Sequence, residues 1–129
     1  MTLRCLIVDD SPHFLDAARA LLQRQGVTVV GVATNGSDAL RRVQELWPDV
    51  TLVDIDLGGE SGFDLARRLS ADGGGTALSP VILVSTRDEQ DYAELIATSP
   101  ALGFVSKAEL SGDAIRALLS HRGDGDRVS

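Results

Sequence analysis

Polar side chains that can do chemistry follow four short apolar segments of this chain. The segments, with the side chains after them, are 6–8 with Asp9 and Asp10, 52–53 with Asp54, 81–84 with Ser85 and Thr86, and 104–106 with Lys107. Apolar runs of this length, flanked by helical patterns, are typical of buried parallel strands. The carboxyl ends of such strands share one edge of an open sheet, where these folds bind ligands. The sequence therefore predicts one pocket containing three carboxylates, a hydroxyl group and a lysine.

Three carboxylates at one edge of a sheet favour a bound cation. Two carboxylates held ~4 Å apart repel each other by ~4 kcal/mol at an effective dielectric constant of ~20. Asp9, Asp10 and Asp54 offer only oxygen ligands, without His or Cys. An all-oxygen site that is completed by water and phosphate favours Mg²⁺ over Ca²⁺. We therefore predict Mg²⁺ as the cofactor.

The remaining groups of the predicted pocket suit phosphoryl transfer. Lys107 supplies a movable positive charge for an incoming phosphoryl oxygen. Ser85 supplies a neutral donor that can follow that oxygen afterwards. A metal, a lysine and a carboxylate nucleophile together provide the charge neutralisation, positioning and attacking oxygen that this reaction needs.

Five strand–helix units are predicted to position these groups. The predicted strands are 3–9, 27–33, 50–54, 81–85 and 103–106. Helix one begins with a Ser11 cap and Pro12, and Gly26 stops it. A turn at Asn35-Gly36 precedes helix two, which Ser37 caps; helix three spans about 61–70 and helix four about 88–97.

The predicted inward residues are Phe14, Ala17, Ala18, Leu21 and Leu22 in helix one, Ala39, Leu40, Val43, Leu46 and Trp47 in helix two, Phe63, Ala66 and Leu69 in helix three, and Ala114, Ile115, Leu118 and Leu119 in helix five. Regular alternation predicts an α/β fold with a doubly wound parallel sheet.

Composition limits the class of protein. The chain has 129 residues, of which 43% are hydrophobic, and this fits one domain, predicted over residues 1–121. Residues 72–75 predict a flexible connection, and residues 122–129 a disordered tail.

A net charge of −7 disfavours direct nucleic-acid binding. No apolar run reaches the ~18 residues of a membrane span, the start lacks a signal-peptide pattern, and Cys5 has no second cysteine to pair with. A cytoplasmic location is expected.

The pattern formed by Asp9-Asp10, Asp54, Ser85 and Lys107 resembles the receiver domain of two-component response regulators, over the chain up to about residue 119. The resemblance implies a flavodoxin-like sheet of order 2-1-3-4-5 with five helices. It implies that Asp54 is phosphorylated by a sensor histidine kinase, a phosphotransfer protein or a small phosphodonor. It also implies that Asp9, Asp10 and Asp54 hold Mg²⁺ together with the backbone carbonyl of Asp56.

The same resemblance implies a switch. Lys107 and Ser85 bind the phosphoryl group, and Phe104 is the aromatic residue whose rotamer reports activation. The change is expected to reach the surface of helix four, strand five and helix five, where a downstream protein binds. The acidic residues of helix four predict a basic or mixed protein partner. Whether the chain is an output switch or a phosphorelay intermediate, and whether it forms a phosphorylation-dependent homodimer, stays open at this point.

Some positions depart from the commonest receiver pattern. Gly58 stands where the family usually has proline, which predicts a more flexible loop, and Thr86 is larger than usual and is predicted to narrow access to the phosphoryl group. Asp56 and Arg87 are predicted to form an exposed pair that hinders water. Ala108 after Lys107 is similar to nitrate-response-type regulators. Their DNA-binding helix-turn-helix is not in this sequence, so output is expected through surface contacts or a separate chain.

Two other functions stay open on the sequence alone. Asp54-Ile55-Asp56 resembles the nucleophile motif of haloacid-dehalogenase-type phosphatases, although it lies on the third strand and the chain is short for that family. An interaction module with this fold that is never phosphorylated is the second alternative. The receiver interpretation predicts no enzymatic activity beyond the chain's own phosphorylation and dephosphorylation.

Overall fold

The computed structural model describes residues 2–71 and 79–128, without the side chains of residues 71 and 121–128. Within these ranges, five strands form one parallel sheet of order β2-β1-β3-β4-β5. The strands are β1 (Leu3–Val8), β2 (Val27–Ala33), β3 (Val50–Asp54), β4 (Val81–Ser85) and β5 (Gly103–Ser106). The predicted flavodoxin-like topology is confirmed.

Helices cover both faces of the sheet. They are α1 (Pro12–Arg24), α2 (Gly36–Leu46), α3 (Gly62–Ala71), α4 (Ala93–Ala97) and α5 (Gly112–Val128). One apolar cluster joins α1 and α5 to the sheet, and a second joins α2 and α3 to its other face. Every residue of β3 and β4 is buried, because both faces of these strands are covered. The apolar run 81–84 of β4 follows from this position.

The start of α1 is as predicted, while its inward face is rotated. Ser11 caps the helix, and its Oγ accepts a hydrogen bond from the Phe14 N–H at 3.3 Å. The structure buries Leu15, Ala18 and Leu22, which recur three and four positions apart. Ala17 was predicted to face inward but is exposed, because this stripe is offset from the predicted one.

Both ends of α2 differ from the prediction. Asn35, not Ser37, caps the helix, since its side chain accepts the Asp38 N–H at 2.8 Å. Trp47 was predicted to be inward but is 65% exposed. It has φ of 50°, a left-handed conformation that ends the helix and turns the indole outward. Arg4 then donates to the carbonyls of Leu46 and Trp47, which the helix leaves unpaired.

The predicted helix four is divided in the structure. A 3-10 helix, Glu89–Tyr92, precedes α4, and neither element contains a buried residue. α5 is helical to Val128, so it continues through residues for which the sequence predicted a disordered tail. The boundary at residue 121 stays a prediction. The predicted connection at 72–75 lies outside the described residues.

Two further expectations concern single features. Cys5 is fully buried in β1, and burial raises the pKa of its thiol to about 12, so the residue is a packing group. Among the described helices, none has both the length and the apolar character that crossing a membrane requires.

Candidate functional site

Three carboxylates meet at the carboxyl edge of the sheet. β1 and β3 are hydrogen-bonded neighbours with Val8 opposite Val53, so Asp9 and Asp54 leave adjacent strands side by side. One carboxylate oxygen from each of Asp9, Asp10 and Asp54 lies within 4.8 Å of the others. Asp9 and Asp54 are buried, whereas Asp10 is exposed at the rim. The set offers only oxygen ligands, so its chemistry fits a hard divalent cation such as Mg²⁺.

Lys107 reaches this cluster from two strands away. It follows β5, and its Nζ lies 2.7 Å from Asp9 Oδ2 and 3.5 Å from Asp54 Oδ2. Only 17% of its side chain is exposed. Burial acts to lower the pKa of Lys107, but the contacts with Asp9 and Asp54 outweigh it and raise the pKa above its usual 10.5. The ammonium group is therefore a permanent positive charge in the pocket.

The environment of the cluster changes the pKa of Asp54. Burial, followed by the charge of Asp9, raises the pKa of Asp54 from 3.8 to about 6, while Lys107 and the Asp56 N–H act in the opposite direction. The positive charge of Lys107 thus offsets only part of the combined effect of burial and of the Asp9 charge on Asp54. A divalent cation would compensate the remainder, which is a second reason why these residues fit one.

Ser85 ends β4 beside Asp54. The Ile55 N–H donates to the Val84 carbonyl at 3.0 Å, which holds the two strand ends together. Ser85 is buried, and its Oγ accepts the Arg87 N–H at 3.1 Å, which leaves its hydroxyl proton for another acceptor. Phe104 is half-buried on β5 and packs against the α2–α3 cluster.

The predicted pair between Asp56 and Arg87 is wrong. Both residues are described and exposed, and no ion pair joins their side chains. Asp56 Oδ1 instead accepts the Gly58 N–H within its own loop at 3.3 Å, because this local partner is two residues away. A role of Asp56, Arg87 or the exposed Thr86 in access to the pocket stays a prediction.

The loop between β3 and α3 explains why glycine replaces proline at position 58. Gly58 has φ of +77°, which the proline ring cannot adopt. The loop is closed by two backbone bonds, from Leu57 to Glu60 at 3.0 Å and from Gly62 to Ile55 at 2.7 Å. The turn therefore shapes this side of the pocket with a different backbone conformation from the one proline would impose.

Two contacts around the pocket were missed by the sequence analysis. Glu60 Oε1 accepts the Gly36 N–H at 2.9 Å and so ties the loop to the first turn of α2. The Phe14 ring lies under Lys107, with Nζ 4.2 Å from the ring centroid. Glu60 gave no signal, since its partner is 24 residues away. The sequence around Phe14 indicated only an apolar helix face. Lys107 is 93 positions away, so the sequence did not indicate a contact between the two residues.

Comparison with known proteins agrees with this geometry. The family model for the response regulator receiver domain matches residues 5–119. The DNA-binding transcriptional activator EvgA of Escherichia coli K12 is 30% identical over 116 residues, which are 90% of this chain and 55% of EvgA. The protein PilH of Pseudomonas aeruginosa is 40% identical over 87 residues, 67% of this chain and 70% of PilH. The chain thus spans about half the length of the transcriptional activator that it matches.

Solved structures agree as well. The signal receiver domain of NarL from Mycobacterium tuberculosis superposes with a TM-score of 0.77 at 28% identity, over 92% of this chain and 94% of that chain. A CheY-like receiver domain from Methanospirillum hungatei has a TM-score of 0.75 at 19% identity and full coverage of both chains, a likeness that concerns the fold.

The first prediction concerns Gly62. A Cβ at this position would lie 2.2 Å from the Asp54 backbone oxygen and 2.7 Å from Ile55 Cα, and backbone cannot move aside cheaply. We expect Gly62→Ala to lower the free energy of unfolding by about 1–3 kcal/mol. Gly59→Ala is the control, since nothing lies within 4 Å of its Cβ position. Equal urea midpoints for the two variants would contradict the predicted contact.

The second prediction concerns pH. Because the folded pKa of Asp54 is raised to about 6, the native state holds this proton more tightly than the unfolded state between 3.8 and about 6. The contribution of Asp54 to the free energy of unfolding therefore falls as pH rises through this window. In EDTA at about pH 7, we expect Asp54→Asn to stabilise the protein on the order of 1–3 kcal/mol, and much less near pH 4.

The measurement is urea unfolding at both pH values. Asp64→Asn, which removes an exposed carboxylate, is the control. A gain for Asp54→Asn that is the same at both pH values, or a loss at neutral pH, would contradict the raised pKa.

Proposed function

Since this chain belongs to the response regulator receiver domain family, we propose that it is a phosphorylation switch in which Asp54 accepts the phosphoryl group. The observation that carries the proposal is the half-buried Lys107 ammonium, which lies 2.7 Å from Asp9 and 3.5 Å from Asp54. This arrangement supplies a carboxylate nucleophile, acidic ligands and a positive charge at one edge of the sheet. Those are the components that phosphoryl transfer requires.

The acidic cluster is the proposed Mg²⁺ site. The carboxylates of Asp9, Asp10 and Asp54 would hold the ion, with the backbone carbonyl of Asp56 as a further ligand. When bound, Mg²⁺ supplies charge neutralisation for the phosphoryl oxygens and for the carboxylates themselves. The proposal is supported by the all-oxygen donor set and by the burial and the neighbouring Asp9 charge that together raise the pKa of Asp54.

The protein's own residues then perform the transfer. An Asp54 oxygen attacks phosphorus and forms the acyl phosphate while the bond from phosphorus to the donor breaks. Lys107, already in the pocket, pairs with a phosphoryl oxygen. The Ser85 hydroxyl, whose Oγ is oriented by the Arg87 N–H, donates to another. These contacts would draw the ends of β4 and β5 toward the phosphate.

The output surface that we propose consists of α4, β5 and α5, together with the preceding 3-10 helix. Phosphorylation would move Phe104 inward and change this surface by shifting an existing equilibrium. No residue of the 3-10 helix or α4 is fully buried, and the half-buried Tyr92 and Ile96 supply their packing against the α2–α3 cluster, so their apolar anchoring is limited. Next to Phe104, a shallow groove of about 360 Å³ is lined by Val105, Glu109 and Leu118, among others.

Partners are proposed by chemical class. Receiver domains interact with histidine kinases or phosphotransfer proteins, and one of these is the proposed donor for this chain. The proposed reader is a protein with basic or mixed charge, since the 3-10 helix and α4 carry several acidic residues: Glu89, Asp91 and Glu94. The net charge of −7 argues against DNA as a direct partner of this part of the protein.

The alternatives are weakened by specific observations. The turn at Gly58 closes through its own hydrogen bonds and leaves the three carboxylates and Lys107 together, which disfavours a module that has lost phosphorylation. Membership of the receiver family disfavours a haloacid-dehalogenase-type phosphatase. The mechanism proposed above gives none of the described side chains a role in hydrolysing an external phosphate ester.

The third prediction tests the acceptor. Incubated with acetyl phosphate and Mg²⁺, the protein should gain one phosphoryl group on the peptide that contains Asp54, as measured by mass spectrometry. Asp54→Asn should abolish the gain, because the nucleophilic oxygen is lost. Asp64→Asn, which changes an exposed carboxylate of α3, is the control and should leave the gain unchanged.

The other outcomes are equally informative. Modification that persists in Asp54→Asn would place the acceptor elsewhere. Steady hydrolysis of phosphate esters would favour the phosphatase. An unmodified wild type would favour the interaction module.

A further inference from the structure

An aromatic ring lies against the proposed phosphoryl-binding lysine. Phe14 is a half-buried residue in the first turn of α1, and Lys107 Nζ is 4.2 Å from its ring centroid. A cation within about 6 Å of a ring face is attracted by the ring quadrupole. The switch proposed above assigns no part to Phe14.

Four residues form a closed circuit of contacts around this ring. Asp9 Oδ1 accepts the Ser11 N–H at 2.8 Å, and Ser11 Oγ accepts the Phe14 N–H at 3.3 Å. The Phe14 ring contacts Lys107, and Lys107 returns to Asp9 Oδ2 at 2.7 Å. Both oxygens of the buried Asp9 are thus engaged, one by the first turn of α1 and the other by the lysine. The helix cap therefore places the Phe14 backbone in relation to the pocket.

The ring acts on the lysine differently from the carboxylates. The lysine side chain is a flexible four-carbon stem, so its ammonium must be held to be aimed. Asp9 and Asp54 attract it only while their charge is available, and a divalent ion on the same carboxylates weakens that attraction. The attraction to the ring does not depend on the carboxylate charge. Its share of the hold on Lys107 therefore grows when the site is loaded.

We propose that Phe14 is a positioning residue that holds the Lys107 ammonium over the pocket by a cation–π contact and so couples the first turn of α1 to phosphoryl binding. The coupling to phosphoryl binding rests on the proposed function. The contact between ring and lysine does not, so the two can be tested apart.

The fourth prediction is a double-mutant cycle on the unphosphorylated, metal-free protein. It compares urea unfolding of the wild type, Phe14→Leu, Lys107→Met and the double variant. We expect Phe14→Leu to lower the folding equilibrium constant about two- to fivefold more when Lys107 is present than when it is methionine. A role of the ring in apolar packing alone would make the two losses equal, and this outcome would overturn the proposal.

A matched control separates the cation from the ring. Tyr92→Leu removes another half-buried ring, which packs against Phe63 with centroids 6.0 Å apart. Its cycle with Lys107→Met should be additive. Coupling as large as that of Phe14 would indicate a general response to Lys107→Met and would overturn the assignment.

Phosphorylation by acetyl phosphate supplies the functional measurement. Phe14→Leu should slow the initial rate at least about threefold, while Phe14→Tyr, which keeps a ring face, should stay near the wild type. Equal rates for Phe14→Leu and the wild type, or equal losses for the Leu and Tyr variants, would overturn the positioning role. If the wild type itself takes up no phosphoryl group, the proposed function fails, and the cycle alone decides whether the ring holds the lysine.

Discussion

Burial and the mutual repulsion of Asp9 and Asp54 set the electrostatics of this edge of the sheet. Asp9 and Asp54 leave neighbouring strands at the same edge of the sheet, and Asp10 completes the cluster at the rim. Lys107 compensates part of the charge, yet the pKa of Asp54 stays raised, at about 6. Buried carboxylates in such an arrangement favour the binding of further positive charge. The proposed metal site and the proposed phosphoryl acceptor both depend on this property.

The surrounding backbone preserves this arrangement at close tolerance. Gly62 passes so near the Asp54 carbonyl that a methyl group would not fit, and Gly58 uses a left-handed conformation that proline cannot adopt. Glu60 ties the same loop to the start of α2. On the other side, the capped first turn of α1 presents Phe14 to Lys107. These contacts hold the carboxylate side of the pocket, whereas α4 on the proposed output side has no fully buried residue.

The sequence predicted the sheet and the convergence of the site because both follow from strand patterns. Four strands carry site residues at their ends, namely Asp9, Asp54, Ser85 and Lys107, and all four were located from apolar runs. Parallel pairing of these strands brings their carboxyl ends to one edge of the sheet. The errors concern features that patterns do not encode. The left-handed φ of Trp47 turns an apolar residue outward. The Asp56 carboxylate accepts the N–H of Gly58 in its own loop and does not pair with Arg87. The contacts of Phe14 and Glu60 depend on the tertiary fold itself.

The converging carboxylates should give the protein a measurable affinity for Mg²⁺. Isothermal titration calorimetry on the unphosphorylated protein should give saturable binding of one Mg²⁺ per chain, because three oxygen ligands converge there. Asp9→Asn should abolish it, while Asp64→Asn, which changes an exposed carboxylate of α3, should leave it unchanged. Equal Mg²⁺ binding by the wild type and Asp9→Asn, or no saturable binding by the wild type, would contradict the account.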